Sequence, residues 1–116
     1  MEIKHGATRT VILIRGWAVK IPTPYGWRNF LHGLLANHQE RLFSKAKWPE
    51  LCPVIWSLPL ALIICMRRAA PLDMVEFESF DFDSFVKREY YSVPVENKLD
   101  SFGRLEGRIV AVDYGN

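Results

Sequence analysis

Cysteine is scarce in this chain: Cys52 and Cys65 are the only two among 116 residues. Their spacing matches no metal-ligand pattern, and a short secreted disulfide scaffold would carry more of them. Both read as buried thiols in a reducing compartment, which makes a cytoplasmic location the expectation. Long apolar runs are also missing. The longest uncharged stretch, Leu51 to Met66, contains Pro53 and Pro59 and falls short of the roughly 18 apolar residues a membrane helix needs. The N-terminus has no continuous apolar segment leading to a small-residue site, so no signal peptide is expected. Charge of one sign does not dominate, with 15 Lys and Arg against 13 Asp and Glu. That balance argues against a polybasic nucleic-acid arm. Neither nucleic acid nor membrane is an expected partner. No internal repeat and no low-complexity segment is visible.

What the chain does have is apolar and aromatic side chains, 49% and 13% of residues, enough to exclude disorder. The length predicts one domain with one modest core.

Residues 1–9 are polar and point to no element. From Thr10 the pattern is β. Val11 to Ile14 and Trp17 to Ile21 flank Arg15-Gly16, which predicts a tight hairpin. On the second strand Trp17, Val19 and Ile21 share one face, and Ala18 and Lys20 share the other. A small residue beside a lysine leaves room for a flat ligand with an ammonium beyond it. A lysine on a solvent face gives the same pattern.

A helix is predicted over roughly Arg28 to Lys45. Leu31, Leu34, Leu35, His38 and Leu42 form an amphipathic stripe that should be its buried face, with His38 as a packed residue at the core edge. Gly33, Ala36, Asn37 and Glu40 fall on the opposite side. Val54 to Trp56 and Leu60 to Met66 predict two further strands, with Ser57-Leu58-Pro59 at the turn. Their continuous apolarity predicts burial on both faces under a helix. Met66 to Leu72 leaves the sheet as an extended connector because of Pro71. Residues 73–91 are acidic and aromatic, with a helix expected over 81–91 capped by Asp83 or Ser84. The acidic side chains there suit a solvated face. Phe102 to Leu105, the Glu106-Gly107 turn and Arg108 to Val112 predict a second hairpin that delivers Asp113 onto Tyr114-Gly115. Strand ends of this kind place a carboxylate at the mouth of a sheet, where metal and phosphate chemistry often sits. Asp-x-Gly is also an ordinary turn signal.

The order of these pieces resembles a protein kinase-like fold. Ala18-Val19-Lys20 is similar to the Ala-x-Lys strand, and the helix is similar to the one carrying the lysine's glutamate partner. Met66-Arg67-Arg68-Ala69 is similar to the adenine-contacting hinge. Asp113-Tyr114-Gly115 is similar to the Asp-Phe-Gly motif. The resemblance implies an α+β fold: an antiparallel N-lobe-like sheet with one main helix over residues 1–66, a hinge-like connector over 67–72, and a reduced C-lobe-like part over 73–116 ending in a β-hairpin. It implies that Ala18, Lys20, Glu40, Met66, Arg67 and Arg68 hold ATP, with Lys20 on the phosphates and Asp113 on Mg²⁺. Glu40 reaches Lys20 only if the Gly33/Ala36 side of the helix approaches the sheet.

Departures from that family's pattern accompany the resemblance. Thr8-Arg9-Thr10 stands where a glycine-rich loop would be. Glu96, Lys98 and Ser101 occupy the catalytic-loop spacing of aspartate, lysine and asparagine. Glu96 is too long for the usual base, and Ser101 is a poorer metal ligand. The chain ends just past the triplet, without an activation segment or later helices. The resemblance therefore implies a pseudokinase that binds a nucleotide or a protein, a small accessory protein of bacterial or phage type. An active small kinase or nucleotidyl transferase using Lys20 and Asp113 with Mg-ATP is the first alternative. An α+β adaptor without nucleotide binding is the second. The aromatic set Phe77, Phe80, Phe82, Phe85, Tyr90, Tyr91, Phe102 and Tyr114 has no later helices to cover it. It predicts a homodimer or protein partner through residues 77–91 and the C-terminal hairpin, unless 73–91 folds back over that hairpin.

Overall fold

A computed structural model describes residues 1–115. The expected α+β architecture is present. A five-stranded antiparallel sheet contains β1 (Glu2–His5), β2 (Arg9–Ile14), β3 (Trp17–Pro22), β4 (Val54–Ser57) and β5 (Ile64–Arg67), in spatial order β1-β2-β3-β5-β4. One long helix, α1 (Trp27–Ser44), packs on it chiefly at β3. A second sheet of three strands contains β6 (Ala70–Pro71), β7 (Phe102–Leu105) and β8 (Arg108–Ala111), with the short helices α2 (Met74–Glu78) and α3 (Phe82–Val86) in the connection.

Both expected hairpins form. Ile14 pairs with Trp17 across Arg15-Gly16, and Leu105 pairs with Arg108 across Glu106-Gly107. In the second turn Glu106 and Gly107 both have positive φ, 53° and 79°, the conformation that matches the right-handed twist of the flanking strands. The polar N-terminus, for which no element was expected, forms β1. All four of its side chains are exposed, and pairing with β2 is what fixes it.

The buried face of α1 is the reverse of the expected one. Gly33, Asn37 and Glu40 are buried, while Leu31, Leu35 and Leu42 are exposed. The reason is partly steric. Gly33 lies so close to the sheet that a Cβ there would collide with the Thr8 carbonyl oxygen and stand 3.0 Å from Pro22 Cα. Asn37 then stitches the helix down, donating to the carbonyl oxygens of Lys20 at 3.1 Å and Ala61 at 3.0 Å. His38 is only half-buried and meets Arg41 of its own helix. Gly33→Ala is therefore expected to lower stability by about 1–3 kcal/mol through overpacking, although helix propensity alone favours alanine by about 1 kcal/mol. Denaturant midpoints at constant m-value measure this, and an unchanged or higher midpoint would show that the close approach is not limiting.

The strand expected over Leu60 to Met66 is shortened to β5. Pro59–Ala61 turns as a 3₁₀ helix, with Leu60 and Ala61 at φ 64° and 57°. This left-handed step is incompatible with strand pairing. β4 is an edge strand with Ile55 and Trp56 exposed, so the expected burial on both faces holds for β5 alone. The helix expected over 81–91 is shortened to α3, and α2, which was not expected, precedes it. α2 starts at a capping box, where the Asp73 side chain accepts from the Glu76 amide and the Glu76 side chain from the Asp73 amide. α3 is capped by Asp81 rather than by the expected Asp83 or Ser84, and it stops at Val86.

The two sheets share one apolar core that includes Ile64, Met66, Phe85, Phe102, Val110 and Tyr114. Residues 77–86 fold back over the C-terminal hairpin. The rings of Phe77, Phe80, Phe82 and Phe85 surround Phe102 at centroid distances of 5.0–6.2 Å. Most of the aromatic set expected at an interface is thus used inside the chain. No helix among the described residues is long and apolar enough to cross a membrane.

Candidate functional site

Arg9 begins β2, Lys20 lies on β3, Glu40 lies about one turn before the end of α1, and Asp113 follows β8. The fold brings these four side chains together. Lys20 is buried on the Ala18 face of its strand, and its ammonium donates to Glu40 Oε1 at 2.9 Å and to the Val112 carbonyl oxygen. Arg9 sets its fork onto the same carboxylate, at 2.7 Å to Oε1 and 3.0 Å to Oε2. Its Nη1 also donates to Asn37 Oδ1 at 3.1 Å, and its Nη2 to Asp113 Oδ1 at 2.9 Å. The Tyr114 amide donates to Glu40 Oε2 at 3.1 Å, and the Tyr114 hydroxyl to the Cys52 carbonyl oxygen at 2.7 Å. Glu40, fully buried, is therefore the common acceptor of two cations and one amide.

Such a cluster stands only because it is fully paired, since desolvating isolated charges is prohibitive. Burial by itself would raise the Glu40 carboxyl, but the Lys20 ammonium and the Arg9 guanidinium hold it below the ordinary carboxylate range. Burial, with the Arg9 charge beside it, pushes the Lys20 ammonium down despite Glu40. Asp113 is pushed up, first by desolvation and then by the neighbouring Glu40, with Lys20 and Arg9 opposing. Burial lifts the Cys52 thiol to about 11, so it is a protonated core residue and no nucleophile.

The cluster opens on a cleft of about 1010 Å³ between the two sheets. Its walls include Ala18, Met66, Leu72 and Phe102 as apolar surface and Lys20 and Asp113 as charged surface. Six lysines and arginines line it against three carboxylates, and Glu40, Glu96 and Glu106, just off the wall, pair with four of the six. Of the nucleotide-site residues expected from sequence, Ala18, Lys20, Met66, Arg67 and Arg68 lie on the cleft wall, and Glu40 stands directly behind Lys20. The Arg67 and Arg68 amides are turned away, donating to the carbonyl oxygens of Pro53 and Gly16. A flat ligand would meet side-chain surface there rather than those two amides.

The expected catalytic-loop residues are not gathered. Glu96 pairs with Lys98 at 2.9 Å, both are exposed, and only Lys98 reaches the cleft. Ser101 is 2% exposed and off the cleft wall. Mg²⁺, expected on Asp113 and Ser101, does not fit these residues as they stand. The Arg9 guanidinium occupies Asp113 Oδ1, where a divalent cation would meet a like charge. Among the described residues no three His, Cys, Asp or Glu side chains converge as a metal set. Arg9 itself was missed from the sequence. A lone arginine in a polar N-terminal stretch carries no local signal, and its partners lie 28 to 104 positions away. Comparison with family models, with curated proteins and with solved structures finds no match to this chain.

Proposed function

We propose that this is a kinase-like domain that binds a nucleotide in the cleft and transfers phosphate slowly or not at all, acting as a regulator. The single observation that carries the reading is the buried Lys20–Glu40 ion pair at 2.9 Å, opening on a cleft whose wall also carries Asp113. Phosphate recognition needs positioned positive charge beside a dry surface for the base. Lys20 supplies the charge, and Ala18, Met66 and Leu72 supply the surface. The ion pair to Glu40 holds the ammonium in one place, a preorganisation that reduces the entropy lost on binding.

Weak or absent transfer follows from the other residues. An attacking hydroxyl needs a carboxylate within hydrogen-bond reach. Glu96 is instead neutralised by Lys98 and lies off the cleft. Asp113 is held by Arg9. The protein-binding form of the same reading is favoured by the outward stripe Leu31, Leu35 and Leu42 on α1. For a partner or second copy using residues 77–91, the large apolar side chain that remains exposed there is Tyr90, amid polar and charged residues.

Thermal melts with added ATP test the proposal. A ligand at a hundred times its Kd stabilises the native state by about 2.7 kcal/mol, a rise in Tm on the order of 10 °C for a domain of this size. Lys20→Met should abolish the increment whatever its own baseline Tm. No increment in the wild type at millimolar ATP would remove the nucleotide reading and leave the protein-binding form. Radiolabel turnover near the roughly 1–100 s⁻¹ typical of kinases would overturn the regulator in favour of an active enzyme.

A further inference from the structure

We infer that Arg9 takes the place a divalent metal would hold, so that the cleft binds the phosphate end of its nucleotide without metal. This rests on the nucleotide reading above and names the charge chemistry of that site. A metal ion at this position would bridge the carboxylate after β8 to the phosphates. The Arg9 guanidinium already makes the bridge on the protein side, joining Glu40 through two hydrogen bonds and Asp113 through one. Its four Nη hydrogens are committed to Asn37, Glu40 and Asp113, so it acts on a phosphate through its fixed charge rather than through the fork.

The bridge is built into the fold. Arg9 pairs with Pro22 across the β2–β3 ladder. Its carbonyl oxygen accepts from the Gly6 amide at 2.8 Å, and the Thr8 carbonyl oxygen beside it accepts from the Thr23 amide at 2.8 Å. Asn37, itself locked onto two backbone carbonyls, orients the guanidinium from behind. The side chain is only 10% exposed. A cation so held cannot leave Asp113 without also loosening its hold on the buried Glu40 carboxylate, and a second cation of charge two beside it would be repelled. The ammonium of Lys20 has three donors and commits one to Glu40 and one to Val112. The third is left for a phosphate oxygen on the cleft side. Lys4 adds positive charge to the same wall. The ligand class is therefore a nucleoside phosphate presented as the free anion.

Calorimetric titration of the full chain with ADP, first in EDTA and then in millimolar magnesium, tests the inference. The two Kd values are expected to agree within about threefold. Tightening by magnesium of more than about tenfold would overturn the inference and leave the nucleotide reading standing. Binding in neither condition would overturn the nucleotide reading itself. Arg9→Met is expected to weaken ADP in EDTA by about tenfold or more, and to become magnesium-responsive because Asp113 is released. An Arg9→Met protein that binds as the wild type does in EDTA would also overturn the inference. The wild-type comparison needs no variant, so a failure of Arg9→Met to fold leaves it decisive.

Discussion

Glu40→Ala is expected to destabilise the fold by about 3–5 kcal/mol, the cost of breaking a buried ion pair by removing one partner. Native stability of a domain this size is about 5–15 kcal/mol, so the variant stands near unfolding at room temperature. The size of the effect comes from what is left behind. Lys20 and Arg9, at 6% and 10% side-chain exposure, would keep their charges with Asp113 as the one remaining carboxylate. The Tyr114 amide would also lose its acceptor. The double variant Lys20→Met/Glu40→Leu should be less destabilised than the two single changes summed, because an apolar pair of similar volume replaces a charged one. Additive losses would show that the two residues do not act as a pair. The pH dependence has a definite sign. The folded-state carboxyl of Glu40 is depressed, so its stabilisation is complete above the unfolded carboxylate range. It is lost as pH falls below about 4 through the depressed value. Glu40→Gln should flatten that acid limb.

The same cluster explains which parts of the molecule could be read beforehand. The two hairpins were legible because Arg15-Gly16 and Glu106-Gly107 are local signals that need no partner from elsewhere in the chain. The extent of α1 was legible from its periodicity, within a residue at each end. Its orientation was not. Leucines on one side and Gly33, Asn37 and Glu40 on the other predict leucines inward, as hydrophobic burial alone would have it. The polar face wins because Gly33 permits a close approach to β2 and β3, and because Glu40 meets two cations from other strands. None of those partners is visible from within the helix. The nomination of Glu40 as the lysine's partner agrees with this geometry, through the side of the helix that approaches the sheet. Leu60 and Ala61 in the left-handed region were likewise illegible, since their side chains give no warning of positive φ. The start of α2 was readable. Asp73 followed by Glu76 is a capping-box signature set within the acidic and aromatic composition of 73–91.

Phe102→Ala should be as damaging as the loss of Glu40, at about 3–5 kcal/mol for a buried phenylalanine truncated to alanine. Phe102 is 3% exposed and is the one ring in contact with all four of Phe77, Phe80, Phe82 and Phe85. Edge-on and tilted pairs of this kind add about 0.5–1.5 kcal/mol each beyond their buried area. Removing the shared ring therefore loosens α2 and α3 together rather than one contact at a time. Those helices have five residues each, too short to persist without tertiary packing. Once loosened they would uncover apolar side chains from both the connection and the hairpin, a patch that a soluble monomer rarely leaves open. Two readouts should move together. The denaturant midpoint should fall, and light scattering of the variant should become concentration-dependent. Phe102→Leu, which keeps much of the volume but no ring, should fall between the variant and the wild type. A loss below about 1 kcal/mol for Phe102→Ala, within the range of ordinary surface-proximal changes, would show that the four rings hold one another without it. The second sheet would then owe its stability to the backbone bridges from Glu50 and Cys52 to Ala111.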